Sequence, residues 1–173
     1  NISSPDSFDI SKRNQLYIEK DRIGCGCTNT RIVKENRTDK KDKIIEKYIP
    51  GKSYSVSLHI SHKSYNIMSI NKQITQKINN SIKLKALLVN IYPSFRDHLF
   101  HFIDNILNVF PNLRGFVGLD FIEYKGELFL IEINARYTTS MSLIERCKKK
   151  HPLDYKYKKI NDYAGKSCQL KLI

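Results

Sequence analysis

The sequence lacks the features that mark several classes of protein. It has only four cysteines in 173 residues, too few for a scaffold held by disulfides. No apolar run approaches the roughly 20 residues of a membrane-spanning helix, so no membrane partner is expected. Asn1 to Asp9 is polar and has no signal-peptide core, which predicts a cytoplasmic location. Because the chain begins at Asn1 instead of methionine, we expect it to be the later part of a longer protein.

Negative charge is scarce, but the positive excess does not form a patch. The chain has 30 Lys and Arg against 17 Asp and Glu, a net charge of +13. A nucleic-acid surface concentrates its cations on one face, whereas here they are scattered in short runs such as Lys40-Lys41 and Lys148 to Lys150. Most of these lysines are therefore interpreted as a solvated surface, and nucleic acid is not the expected partner.

The apolar patterns predict an α+β fold in one compact unit, with antiparallel strand hairpins and packed helices. In SYSVSLHI, alternating Val56, Leu58 and Ile60 indicate a strand with one buried face. The spacing from Ser94 to Phe110 predicts a helix with an apolar stripe and an N-cap pair, Ser94 with Asp97. A short second helix is expected from about Ser140 to Lys149. The stripe consists of Phe95, Leu99, Phe102, Ile103, Ile106, Val109 and Phe110.

The hairpin from Phe116 to Asn134 allows its strand register to be argued. A two-residue turn at Lys125-Gly126 would place Asp120 opposite Ile131, among apolar side chains. A three-residue loop, 125–127, instead pairs Tyr124 with Leu128 and places Asp120 opposite Glu132 and Gly118 opposite Asn134. This second register is the one predicted. It assigns to one core face Val117, Leu119, Phe121, Phe129, Ile131 and Ile133.

The predicted register groups three oxygen-bearing side chains, Asp120, Glu132 and Asn134, at the open end of the hairpin. Two carboxylates about 5 Å apart repel each other unless a cation or a proton lies between them. Carboxylate and amide oxygens suit Mg²⁺. A solvated polar face on a half-buried sheet is the alternative explanation.

Three segments, in order, resemble the ATP-grasp superfamily. IEKDRIGCGCTNTRIV is similar to the flexible loop that closes over ATP phosphates, and IIEKYIPGKSYSV to the hinge that holds adenine. LDFIEYKGELFLIEINARYTTS is similar to the magnesium hairpin of that family. The resemblance implies the C-terminal part of an ATP-grasp fold, so that residues 1–173 form a partial nucleotide-binding domain without its upstream substrate domain and the first part of the lobe.

The resemblance also implies roles for individual residues. Lys20, Gly24 and Gly26 would meet the phosphates of ATP, while Glu46 and the backbone of Tyr48 and Ile49 would meet adenine. Mg²⁺, with Mn²⁺ as a substitute, would be held by the three hairpin residues. Arg136 would contact phosphate or the developing acyl phosphate as the catalytic cation. The metal set is Asp120, Glu132 and Asn134.

A narrower likeness is to the archaeal tyramine–glutamate ligases of methanofuran synthesis. It is carried by Ile70, Asn71 and Gln73, by PNLRGFVGLDFI, and by EINARYTTS with its trailing Thr138-Thr139-Ser140. It implies a ligase that joins a small-molecule carboxylate to an amine through an acyl phosphate. The alternative is a module of ATP-grasp ancestry that binds ATP or another polyanion without catalysis.

Some positions depart from the family pattern, and others have ordinary explanations. Asp21 and Ala135 stand where the family usually has proline, and Ser53 where many relatives carry a ribose-binding Glu. Cys25 and Cys27 lack zinc-site spacing and are interpreted as small loop residues. A helix-surface role is favoured over metal binding for His98 and His101, and Tyr92 and Tyr137 are interpreted as half-buried packing. The sequence does not indicate an oligomeric state.

Overall fold

A computed structural model describes residues 2–5, 15–24, 27–34, 41–62, 64–154 and 167–171. Gly26 and Cys25 lie outside the described residues, so the prediction for Gly26 stays untested. Within the described ranges the chain forms nine strands and two α-helices, with a 3₁₀ turn at Met141–Leu143 before the second helix. The elements are β1 (Tyr17–Asp21), β2 (Arg31–Val33), β3 (Lys43–Lys47), β4 (Lys52–Ile60), β5 (Tyr65–Ile78), β6 (Ser81–Val89), α1 (Arg96–Val109), β7 (Gly115–Tyr124), β8 (Glu127–Asn134), α2 (Ile144–Lys148) and β9 (Cys168–Lys171).

The strands of the described residues join into one antiparallel sheet in the order β3-β1-β2-β6-β5-β4-β7-β8, with β9 added to β6. The junction between β2 and β6 is narrow, because Arg31 and Ser81 are its one register pair. Two loop hydrogen bonds reinforce it, from the Ile32 N–H to the Asn80 carbonyl at 2.7 Å and from the Ile82 N–H to the Thr30 carbonyl at 2.9 Å. The small end, β1 to β3, can therefore turn over the face of the larger sheet and leave a cleft beneath it.

Helix α1 covers the other face of the larger sheet and closes the main core. Its buried residues pack with the inward side chains Val56, Leu58 and Ile60 of β4. Full burial of one such side chain contributes about 1.5–3 kcal/mol. The core residues of α1 are Leu99, Phe102, Ile103 and Ile106.

Both ends of α1 differ from the sequence expectation. The helix begins at Arg96 after Phe95, and no side chain caps it, so the predicted Ser94 cap is wrong. At the other end Val109 and Phe110 are 59% and 44% exposed and are not part of the core. The helix extends beyond the sheet at this end, so the last residues of its apolar stripe do not pack against the core.

The cleft face of β4 and β5 is also buried, although it carries polar residues. Asn71, on β5, is fully buried, and its Nδ2 donates to the hydroxyls of Ser55 and Ser57 at 3.2 Å. The Ser57 hydroxyl lies 3.0 Å from that of Ser140, which lies 3.0 Å from that of Thr138. This chain of hydrogen bonds attaches the segment after β8 to the sheet, so β4 has two buried faces instead of the predicted one.

The turn between β7 and β8 is a two-residue turn, so the predicted three-residue loop is wrong. Tyr124 pairs with Glu127, and Lys125 and Gly126 have φ values of 53° and 85°, as a type I′ turn requires. The register shifts between Asp120 and Phe121, where Phe121 pairs with Leu130. This β-bulge restores the predicted pairing beyond it, Asp120 with Glu132 and Gly118 with Asn134.

The bulge changes which residues of β8 face the core. Leu128 is buried in the main core, and Leu130 and Ile133 pack against it. Phe129 does not belong to that core, and Ile131 lines the cleft, so the assignment of these two residues to the core face is wrong. A bulge inserts one residue into a strand and so exchanges the faces on either side of it.

The type I′ turn predicts opposite effects for its two positions. We expect Lys125→Asn to raise the free energy of unfolding by some tenths of a kcal/mol to about 1 kcal/mol, because Asn tolerates positive φ better than Lys. Gly126→Ala should lower it by about 1–2 kcal/mol. Urea denaturation measures both, with Lys77→Asn on exposed β5 backbone as the control. A Lys125→Asn variant no more stable than the control variant would contradict the turn.

Candidate functional site

The site is built around two carboxylates at the bulge of the β7–β8 hairpin. Asp120 and Glu132 are cross-strand partners. The Asp120 carboxylate accepts hydrogen bonds from Gln73 Nε2 to Oδ1 at 3.1 Å and from Asn134 Nδ2 to Oδ2 at 3.4 Å. Neutral amide groups therefore donate to both oxygens of Asp120. The neighbouring Glu132 adds a second negative charge beside them.

Burial and the neighbouring charge make Asp120 a weak acid. Desolvation first, and then the negative charge of Glu132, raise the pKa of Asp120 to about 7. The charge of Arg136 and the hydrogen bonds from Gln73 and Asn134 lower this pKa but do not compensate. A proton or a metal cation bound here would relieve the repulsion between the carboxylates.

Asn134 and Arg136 extend the site beyond β8. Arg136 Nη2 donates to Asn134 Oδ1 at 3.1 Å, and the Arg136 N–H donates to the Asn134 carbonyl at 2.8 Å. Asn134 thus connects an exposed guanidinium to the half-buried carboxylate of Asp120. Because an amide oxygen has two lone pairs, Oδ1 keeps one acceptor position beside its hydrogen bond from Arg136.

The small end of the sheet supplies a second pair of charges. Lys20 on β1 and Glu46 on β3 lie on one face, diagonally across the strand pair, and Lys20 Nζ lies 2.8 Å from Glu46 Oε2. Both side chains remain about one-fifth exposed. The sequence prediction had placed them at different ends of a nucleotide, whereas here they are in direct contact.

A cleft of about 370 Å³ separates the two ends of the sheet and brings most of the predicted site residues together. Apolar side chains, among them Ile18, Ile44 and Leu84, line it alongside the charged groups. Asn134 and Arg136 do not line it but reach it through Asp120. The predicted residues along the cleft are Lys20, Gly24, Glu46, Tyr48, Ile49, Asp120 and Glu132.

In the hinge after β3, two backbone N–H groups are already hydrogen-bonded within the fold. The Tyr48 N–H donates to the Leu16 carbonyl at 2.9 Å, and the Gly51 N–H donates to the Ile49 carbonyl at 2.9 Å. Of the two residues predicted to meet a base, Tyr48 therefore uses its donor within the fold. Gly51 lies so close to β7 that a Cβ there would collide with the Glu123 carbonyl oxygen.

The departures from the family pattern have structural consequences. Asp21 accepts a hydrogen bond from Asn29 Nδ2 at 2.7 Å and pairs with Lys43, so it holds the two ends of the β1–β2 loop and β3 together. The Lys43 and Asn29 hydrogen bonds lower the pKa of Asp21. Ser53 lines the cleft.

Sequence reasoning assigned no role to Gln73, although the structure places it on Asp120. The available signal was the polar pair Asn71 and Gln73, two residues apart and therefore on one face of β5. The position of Cys27 in the cleft was not predicted either. Burial, and then the charges of Asp120 and Glu132, raise the pKa of its thiol.

Across the described residues, no three His, Cys, Asp or Glu side chains form a metal cluster. The oxygen set of the hairpin thus depends on the amide of Asn134.

Comparison with known proteins decides the family. The family model for the ATP-grasp domain matches residues 2–140. The chain belongs to the ATP-grasp family. Tyramine–L-glutamate ligases from Methanocaldococcus fervens and Methanocaldococcus jannaschii are 30% and 29% identical over 140 residues, 81% of this chain. The chain spans 42% and 40% of their length, about two-fifths.

Solved structures show the same fold. An ATP-grasp superfamily protein from Archaeoglobus fulgidus superposes with a TM-score of 0.69 at 24% identity, covering 88% of this chain and 47% of its own. An L-amino acid ligase from Bacillus licheniformis gives 0.68 at 12% identity, covering 87% and 41%. N5-carboxyaminoimidazole synthetase from Staphylococcus aureus, solved with ADP, gives 0.69 at 13%, covering 96% and 48%. The predicted α+β ATP-grasp fold is confirmed, as a curled antiparallel sheet with few helices. Within the described ranges, no helix has the length and apolar character to cross a membrane.

The close approach of β7 to the segment after Arg136 gives a stability prediction. A Cβ on Gly118 would lie 2.7 Å from Thr138 Cγ2, so Gly118→Ala should lower the free energy of unfolding by about 1–3 kcal/mol. Adding Thr138→Ser should recover most of this loss, because serine keeps the hydroxyl and lacks the colliding methyl. As a control, Thr139→Ser added to Gly118→Ala should recover none of the lost stability. Denaturant unfolding of wild type, the single variant and the two double variants measures these differences.

The raised pKa of Asp120 predicts a pH dependence of stability. Its pKa is 3.8 when unfolded and about 7 when folded, so the folded chain binds an extra proton between these values. In chelator, stability should therefore fall as pH rises through this window and level off above it. Between about pH 5 and pH 8 wild type should lose on the order of 2–3 kcal/mol more than Asp120→Asn. Parallel pH profiles for the two chains would contradict the shift.

Proposed function

We propose that this chain binds Mg-ATP in the cleft and serves an ATP-dependent carboxylate–amine ligase. One observation carries the proposal: the carboxylates of Asp120 and Glu132 face the same cleft as Lys20 and Glu46. A nucleotide needs an apolar slot for its base, cations for its phosphates and a metal beside them. The cleft offers apolar walls, the ammonium of Lys20 and two carboxylates that could hold the metal. We further propose that residues 1–173 form part of an ATP-grasp nucleotide-binding domain whose relatives carry more sequence.

The residues fit a divalent cation. Asp120 and Glu132 offer oxygen ligands, and burial together with the charge of Glu132 raises the pKa of Asp120 to about 7. Asn134 offers an amide oxygen that also accepts from Arg136. Such ligands suit Mg²⁺, which keeps several waters and shares phosphate oxygens. Mn²⁺, which prefers the same ligands, is the natural substitute. The metal would neutralise the charge of ATP beside the reacting phosphate.

The residues also fit ATP. Ile49 and the neighbouring apolar side chains would enclose adenine, with Glu46 at its polar edge, and Lys20 would exchange Glu46 for phosphate. Gly24 lines the cleft without a side chain, so its backbone can approach a phosphate closely. Arg136 would move from Asn134 to the transferred phosphoryl group.

The proposed reaction has two steps. A substrate carboxylate oxygen attacks the γ-phosphorus, the bond to the β–γ bridging oxygen breaks, and ADP leaves. An amine nitrogen then attacks the acyl carbon, phosphate leaves, and the nitrogen loses a proton. The chain would contribute by positioning and charge neutralisation through Lys20 and Arg136.

Glutamate and tyramine are the proposed substrates. Support comes from the two tyramine–L-glutamate ligases, which match 81% of this chain. The L-amino acid ligase shares the fold and supports the same general class of small carboxylate and amine substrates.

Cation-dependent nucleotide binding tests the site. Asp120→Asn with Glu132→Gln should weaken MgADP binding at least about tenfold in calorimetric titration, because it removes both negative charges that would hold the cation. Asp104→Asn with Glu127→Gln makes the same charge change at exposed positions and should bind as wild type does. Equal affinity for wild type and the site variant would rule out the assignment.

Turnover tests the reaction. With Mg-ATP, glutamate and tyramine, ADP should accumulate only when both substrates are present. Nucleotide binding without ADP release would favour the alternative of a non-catalytic module.

A further inference from the structure

Gln73 contacts the candidate metal site from a strand that supplies none of its proposed ligands. It lies on β5, 47 residues before Asp120, and its Nε2 donates to Asp120 Oδ1 at 3.1 Å. Asp120 is on β7, and β4 lies between the two strands. The side chain of Gln73 must therefore reach across a complete strand.

Small residues on β4 make this reach feasible. Ser55 pairs with Asn71 on one side and with Asp120 on the other, and Ser53 pairs with Ile122. Two strand spacings amount to roughly 10 Å, which Gln and Asp side chains can bridge only over short neighbours. Ser53, Gln73 and Asp120 all line the cleft. A long side chain in place of Ser53 would compete for this space.

The hydrogen bond from Gln73 to Asp120 does not involve Arg136, which lies at the other side of the site. Asp120 Oδ2 receives its hydrogen bond from Asn134, and Asn134 is held by Arg136. If Arg136 turns towards phosphate, that side loosens, whereas Gln73 keeps Oδ1 in place. A carboxylate has about four lone-pair sites, so a hydrogen bond at Oδ1 still leaves acceptor positions for a metal.

We propose that Gln73 is a positioning residue that orients the Asp120 carboxylate towards the divalent cation. This inference rests on the proposed function, because it needs a cation at Asp120 and Glu132. Gln73 acts through Asp120 and is not itself a metal ligand. The short Ser53 belongs to the same arrangement, since it leaves the path across β4 open.

Manganese binding tests the proposal on the full 173-residue chain. Free Mn²⁺ is measured by electron paramagnetic resonance during titration in the presence of ADP. Gln73→Met keeps the length of the side chain and removes the donor, so the Mn²⁺ dissociation constant should rise about tenfold. Gln76→Met makes the same change at an exposed position of β5 and should leave it unchanged. Thermal unfolding should be similar in both variants, which separates positioning from a structural role.

A double variant separates positioning from direct ligation. In an Asp120→Ala background, Gln73→Met should cause no further loss of Mn²⁺ affinity, because the acceptor of its hydrogen bond is gone. A further loss of similar size would show that Gln73 ligates the metal itself and would overturn the proposal. So would wild-type affinity in Gln73→Met alone.

The failure of this inference can be told from the failure of the proposed function. If Asp120→Ala weakens Mn²⁺ binding and Gln73→Met does not, the function stands and the inference fails. If wild type binds no Mn²⁺ with ADP, or if Asp120→Ala binds it unchanged, both are overturned.

Discussion

The opposition of Asp120 and Glu132 is the constraint on which the rest of the site depends. Two acids side by side at a partly buried hairpin cost free energy, and burial with the neighbouring charge raises the pKa of Asp120 to about 7. The surrounding groups are arranged in response to this cost. Gln73 and Asn134 donate to Asp120, and Arg136 holds Asn134. The charge of Arg136 compensates the negative charge of the two acids only in part.

The curl of the sheet turns these local contacts into a cleft. Because β2 and β6 share a single register pair, the small end of the sheet can turn towards the hairpin acids. Lys20 and Glu46 then face those acids in a cleft of about 370 Å³. On the larger sheet, the row of serines on β4, Ser53, Ser55 and Ser57, keeps the floor of the cleft low. The hydroxyls from Ser57 to Thr138 attach the segment after Arg136 to that floor. Distant parts of the sequence therefore meet at one place.

The departures from the family pattern show how one chain adapts a shared fold. Asp21, in place of proline, is joined to Asn29 and Lys43, so side-chain bonds define the loop where ring stiffness would otherwise do so. Ser53, in place of an acid, lies beside Gln73 along the cleft. The family match covers residues 2–140 and so includes both positions.

The sequence by itself determined the α+β class, the pairing of Asp120 with Glu132 and the family. The class and the pairing follow from local apolar periods and from side chains close in sequence, whose relations a hairpin preserves. The family follows from the resemblance of three segments in order. The pairing was right although its turn was wrong, because a two-residue turn and a bulge together give the same register as a three-residue loop. The structure alone decided that Ile131 faces the cleft, that Lys20 contacts Glu46, and that Gln73 reaches Asp120 across β4. Each of these depends on the twist and curl of the sheet, which no local pattern encodes.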